Sequence, residues 1–149
     1  MLIALLLATL DCTNISVSTS SPDARGRFQY ELRLPEQPMR LNMGSDINRE
    51  WCVTLAPNLT ITKVRTFLAF DRGGIGEVAL TVTANDYKLA ARSQHKEHPM
   101  VNYDAMHSED VRFDTLSTGT TLAVYLMGHN TGTAWTRLEV GVILDIERQ

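Results

Sequence analysis

Leu138-Glu139-Val140-Gly141-Val142-Ile143-Leu144-Asp145-Ile146 puts an apolar side chain at every second position, five times in succession. Side chains alternate across a β-strand, so five apolar residues at period two define one strand with one buried face. Arg137, Glu139, Asp145 and Glu147 then face water. Ile143 shares that face. A lone surface isoleucine is ordinary, and it is also what a subunit contact looks like.

Working back from that strand, the same period recurs. Gly128-His129-Asn130-Thr131-Gly132 supplies turn chemistry, and Thr120–Met127 before it is apolar on both faces, as a central strand requires. Val111 and Phe113 form a short strand. Val78, Leu80 and Val82 alternate, as do Thr62, Val64, Thr66, Leu68 and Phe70, with Lys63 and Arg65 on the wetter side. Asp71-Arg72-Gly73-Gly74-Ile75-Gly76 between these two runs predicts a hairpin turn. Trp51, Val53 and Leu55 make another apolar face. Met39, Leu41 and Met43 precede it, and Phe28, Tyr30, Leu32 and Leu34 precede those, with Pro35 and Pro38 breaking the run between. Only Asn85–Asp110 lacks a pattern. Asn85 there predicts the cap of a short helix through Ala91, followed by a polar loop long enough to be functional or an interface.

About eight strands at regular spacing, with no helix long enough to cover a sheet, predict an all-β chain. The expectation is a single-domain antiparallel β-sandwich over residues 1–149, jelly-roll-like. Apolar residues at 44% and charged residues at 21% suit a packed globular domain. A formal net charge of −3 without a basic stripe offers no footprint for nucleic acid.

Met1–Leu10, MLIALLLATL, is too short to span a bilayer. It also lacks both the basic lead and the cleavage site of a secretion signal, so it is expected as a buried strand, with no membrane partner. Cys12 and Cys52 are expected as buried free thiols, with a single disulfide as the other option. Asn14-Ile15-Ser16 and Asn58-Leu59-Thr60 match the glycan-acceptor pattern.

Catalytic and metal patterns are fragmentary. His95 and His98 are three apart, with Asp104 and His107 downstream, yet no tight ligand signature accompanies them, so a polar surface loop is expected and no metal. There is no Gly-x-Ser-x-Gly elbow, no His-x-His pair of the cupin kind, and no GK[ST] ending to the glycine-rich stretch. The acidic pairs Glu109-Asp110 and Asp145/Glu147 read as solvated edges. The expectation is no enzyme and no cofactor. Trp51 is in phase with core positions, whereas Trp135 follows a turn and is open, which makes it a contact candidate.

Tyr30-Glu31-Leu32-Arg33-Leu34-Pro35-Glu36, then Met39-Arg40-Leu41 and Trp51-Cys52-Val53-Thr54-Leu55, resembles viral structural proteins of the minor capsid, penton or spike kind. There a strand ending in Leu-Pro leads to a Trp-x-Val-x-Leu strand of a β-sandwich. Thr121–Met127, a Gly/Asn turn and a last strand Leu138–Ile146 fit the same plan, while Asn42–Arg49 is longer than that pattern. The resemblance implies a virion protein that assembles with itself and with other capsid proteins. The contact elements would be Met1–Leu10, in particular Met1, Leu2 and Ile3, the segment Asn85–Asp110, and Trp135 and Ile143. The competing readings are a secreted trimeric ligand module of the tumour-necrosis-factor or complement type, which would be extracellular, and a carbohydrate-binding module.

Overall fold

The computed structural model describes residues 12–149. Eleven strands and no helix run through them: β1 (Thr13–Asn14), β2 (Ser16–Thr19), β3 (Arg27–Arg33), β4 (Met39–Leu41), β5 (Asp46–Leu55), β6 (Leu59–Phe70), β7 (Gly76–Ala84), β8 (Tyr87–Lys96), β9 (Tyr103–Asp114), β10 (Thr120–Asn130) and β11 (Thr136–Arg148). One sheet has the order β1-β5-β10-β7-β8. The other is β2-β3-β11-β6-β9, with β4 paired to the start of β11. β1 joins β5 in parallel and every other pair is antiparallel. The architecture is the expected jelly-roll-like β-sandwich.

The core is largely the set of alternating residues read from the sequence, except that Met43 is exposed and a bulge in β6 turns Ile61 inward in place of Thr62. Leu138, Val140, Val142, Leu144 and Ile146 of β11 are buried, with Val64, Leu68 and Phe70 of β6 beside them. Facing them across the sandwich are Val78, Leu80 and Val82 of β7, Leu122, Val124 and Leu126 of β10, and Trp51 and Leu55 of β5. Each such side chain contributes about 1.5–3 kcal/mol on leaving water. β3 shows the half-buried alternation in its plainest form: Phe28 and Leu32 are buried while Gln29, Glu31 and Arg33 are exposed.

Four expectations are corrected. Among the described residues the strand count is eleven rather than about eight, because β1 and β2 are only two and four residues long and the patternless region holds β8 and the first part of β9. That region, Asn85–Asp110, contains no helix. Asn85 and Asp86 both have positive φ, 46° and 68°, the signature of a two-residue hairpin turn joining β7 to β8. β8 and β9 are the edge strands of the two sheets, and inward positions there hold polar side chains in place of apolar ones. Arg92 of β8 reaches across the sandwich, donating from Nη1 to the carbonyls of Thr66 and Ala105 at 3.0 Å each and from Nη2 to Tyr103 Oη at 2.6 Å. An apolar period cannot register such a seam.

The glycine-rich stretch is also no hairpin. It carries the chain from β6 in one sheet to β7 in the other. Finally, Cys12 and Cys52 are a disulfide and not free thiols, with Cα atoms 5.9 Å apart. The parallel register Thr13↔Trp51 and Asn14↔Cys52 lays the chain after Cys12 along β5 and brings the two cysteines together. Spacing alone could not announce that pairing.

Candidate functional site

Strand direction sorts the connections into two ends. Residues 42–45, 71–75, 97–102 and 131–135 meet at one of them, the loop end. The large apolar side chains that remain exposed concentrate there. Met43, Met100, Val101 and Trp135 are each at least 50% exposed, and all lie on these loops. Among the described residues, Tyr87 and Leu116 are the exposed large apolar groups of the opposite end, and Met106 and Met127 lie on the outer faces of the two sheets. Met43 and Trp135 share one shallow groove with Arg40, Asn42, Thr133 and Ala134. The Arg40 guanidinium stacks on the Trp135 ring, 4.4 Å from its centre.

Beneath that apolar rim is a rigid polar base. Asn130 is fully buried, and its Nδ2 donates to the carbonyls of Leu41 (3.2 Å) and Ala134 (3.0 Å). Its Oδ1 accepts from the amides of Ile75 (3.2 Å) and Gly132 (2.9 Å). One side chain thus ties together β4, the 71–75 crossing and the turn that carries Trp135. Lys96 is buried too, donating to the carbonyls of Phe70, at 3.3 Å, and Asp71. Burial holds its ammonium below the usual lysine range, with the Asp71 carboxylate opposing. Thr136 Oγ1 donates to the Asp71 carbonyl at 2.7 Å, and Arg137 Nε to the Asp71 carboxylate at 2.7 Å. That bond raises the guanidinium's pKa. Gly73 packs so closely that a Cβ there would stand 2.5 Å from the Trp135 carbonyl oxygen. Its φ of +97° also suits glycine alone.

A second surface lies on the outer face of the six-stranded sheet. A groove of about 600 Å³ crosses β11 there. Its floor is Phe67, Met106, Gly141 and Ile143, and its rims carry Ser18, Glu31, Arg33, Gln37, Arg65 and Glu139. Arg65 Nη2 is held by Asp145 Oδ2 at 2.9 Å, and Arg33 donates to Ser18 Oγ at 3.3 Å.

The two contact candidates that the structure describes therefore fall on different surfaces, Trp135 on the loop end and Ile143 in the groove. Met1, Leu2 and Ile3, with the strand expected over Met1–Leu10, lie outside the described residues. The histidines are dispersed. His95 on β8 sits between Glu77 and Glu97 at 3.3 and 3.4 Å, His98 is in the following loop, and His107 is within β9. Among the described residues, the metal-type grouping present is Cys12, Glu50 and Cys52, whose sulfurs are bonded to one another. The sequence reading missed Met43 as a surface group because it continues the alternation of Met39 and Leu41. It named the segment Asn85–Asp110 as a contact element without singling out Met100 and Val101, although an apolar pair inside a polar loop was the signal available.

No protein-family model and no curated protein matches the chain. Among solved structures it is similar to dimeric latent PorU from Porphyromonas gingivalis, at 12% identity and a TM-score of 0.43, covering 91% of this chain and 13% of that one. It is also similar to TmCBM61 in complex with beta-1,4-galactotriose, at 13% identity and a TM-score of 0.35, covering 91% of this chain and 88% of that one. A third is the infectious bursal disease virus Gt strain structure, at 11% identity and a TM-score of 0.35, covering 90% of this chain and 33% of that one. The chain thus spans about an eighth of the PorU chain, and these likenesses concern strand arrangement alone.

Proposed function

We propose that this chain is a non-enzymatic structural subunit of a virion, a capsid, penton or decoration protein that docks through its loop end onto a second copy or a neighbouring shell protein. The observation that carries the docking is the concentration of Met43, Met100, Val101 and Trp135 on the loops of one end. Interface centres are rich in Trp and Met, and they work best on a base that does not reorganise on binding. Asn130 and Lys96 supply such a base. Covering the exposed half of Trp135 would by itself contribute about 2–3 kcal/mol. The virion setting rests on the resemblance of Tyr30–Glu36 and Trp51–Leu55 to viral structural proteins. A disulfide between Cys12 and Cys52 fits a particle surface or another oxidising place.

Light scattering on a sizing column tests the reading. The expected result is a discrete oligomer that the double variant Met100→Ser, Trp135→Ser converts to a folded monomer with an unchanged circular dichroism spectrum. A monomeric wild-type chain at every concentration overturns self-assembly, and an oligomer indifferent to the double substitution overturns the loop end as its contact.

A further inference from the structure

We propose that the groove over Gly141 is a carbohydrate-binding site for a neutral oligosaccharide, separate from the docking end. Gly141 stands in the middle of β11 on the exposed side, where glycine weakens a strand. A Cβ built there would meet Phe67 Cβ at 3.5 Å, an ordinary contact, and nothing else close. At Gly73, by contrast, the backbone conformation and the packing both demand glycine. What Gly141 does is keep the groove floor open. A mid-strand glycine commonly marks a place where another group approaches the backbone.

The chemistry of the walls selects the class of ligand. Phe67, Met106 and Ile143 give the floor an apolar, partly aromatic surface, suited to the C–H face of a pyranose ring. The rims carry two carboxylates, Glu31 and Glu139, and two guanidiniums, Arg33 and Arg65. A charged ligand would meet its own sign as often as its opposite. Neutral hydroxyls can donate to the carboxylates and accept from the guanidiniums without that penalty. About 600 Å³ lies within the range of small-ligand sites.

An extended peptide fits less well. Peptides bind sheets by pairing with a free edge, whereas β11 is paired with β6 along its length. On the other side, in the interval between its partners β4 and β3, the Val140 amide already donates to Gln37 Oε1 at 2.9 Å. The groove therefore recognises through side chains, as hydroxyl-rich ligands require.

The test is amide-resolved NMR titration of the full chain with cellopentaose, xylopentaose, mannopentaose and β-1,4-galactotriose, with trigalacturonate as a charged control. The expected result is that at least one neutral sugar shifts the amides of Gly141, Val142 and Ile143 with a Kd of about 0.01–1 mM. Gly141→Trp, which fills the floor, should weaken that binding about tenfold or more. Glu31→Gln with Arg33→Met, both at exposed positions, does the same job should the tryptophan disturb folding. Silence of all four neutral sugars at about 5 mM, shifts from trigalacturonate alone, or binding that survives both variants would each overturn the proposal. Oligomeric state reports on the docking end and sugar titration on the groove, so the two readings fail separately.

Discussion

The two ends of the sandwich are built by different means. At the end opposite Trp135, each connection is closed by chain neighbours or by adjoining strands. Asn85 and Asp86 turn β7 into β8 in two residues. Asp23 Oδ1 accepts from the amides of Arg25 and Arg27 at 2.8 and 2.9 Å. Leu59 and Thr115 clasp one another, the Thr115 amide donating to the Leu59 carbonyl at 2.8 Å and the Leu59 amide to Thr115 Oγ1 at 3.1 Å. At the loop end, a single buried side chain joins several segments at once: Asn130 bonds β4, the 71–75 crossing and the 131–135 turn, with Lys96 adding the carbonyls of Phe70 and Asp71. Chain reversal needs only bonds within a connection or to one adjoining segment. Fixing four loops against one another needs shared buried partners, and with those in place the loops are free to point apolar groups outward. One end returns the chain, and the other presents a surface.

The largest effect expected from breaking this contrast is at Asn130. Asn130→Leu removes four hydrogen bonds and strands buried backbone groups on three segments, at a cost of about 3–5 kcal/mol. Guanidinium denaturation measures it. Amide exchange of residues 131–135 should rise more than that of residues 115–119. A loss under about 1 kcal/mol would mean the loop end is held by packing and not by its polar base.

Next in size is the disulfide, which serves the N-terminal edge of the first sheet. Cys12 and Cys52 are 40 residues apart in sequence. Closing a loop of that length restricts the unfolded chain by about 4 kcal/mol in the entropic account, with about 2–4 typical in practice. Cys12→Ser with Cys52→Ser should lower stability by about that amount while leaving the oligomeric state intact, since neither residue is at the loop end. Dissociation of the oligomer on reduction would show that the first strand contributes to the contact.

The legible part of this molecule was the part whose burial follows a period. β3, β6, β7, β10 and β11 were readable because one face of each is apolar throughout, as at Leu138–Ile146. β8 was not, since Arg92 and Lys96 occupy inward positions and donate to carbonyls of other segments. Asn85 illustrates the turn problem. Asparagine suits both a helix cap and a left-handed turn position, and only the pairing of β7 with β8 decides. For the candidate surfaces, Trp135 and Ile143 were visible as apolar residues out of place. Their neighbours were not, because Met43, Met100, Val101 and Trp135 become one end only when strand direction is known. The groove was illegible for the same reason: Glu31, Arg65 and Gly141 meet through registers such as Glu31↔Ile143↔Arg65.

The smallest effect lies at the turn end and is one of pH. Asp23 holds the β2–β3 connection, and its carboxyl sits below the usual aspartate value of 3.8, chiefly because the Arg27 amide donates to it, with the Arg25 amide and the Arg27 guanidinium adding to this. A carboxyl whose folded pKa is depressed binds fewer protons folded than unfolded. Its contribution is therefore fully present above 3.8 and is lost as pH falls through the lower, folded value. The Asp23→Asn variant keeps an oxygen that can accept from both amides but removes the charge. The wild-type advantage over it should be steady near neutral pH and should shrink as acid takes the carboxyl below 3.8. Because the group is exposed, salt should shrink it as well. Denaturant midpoints of the two proteins measured down an acid series, at low and at high salt, give the comparison. A gap that persists once the carboxyl is protonated would mean that the introduced carboxamide fails to replace the carboxylate as acceptor for the two backbone amides. This turn would then depend on the geometry of one side chain in the way the loop end depends on Asn130.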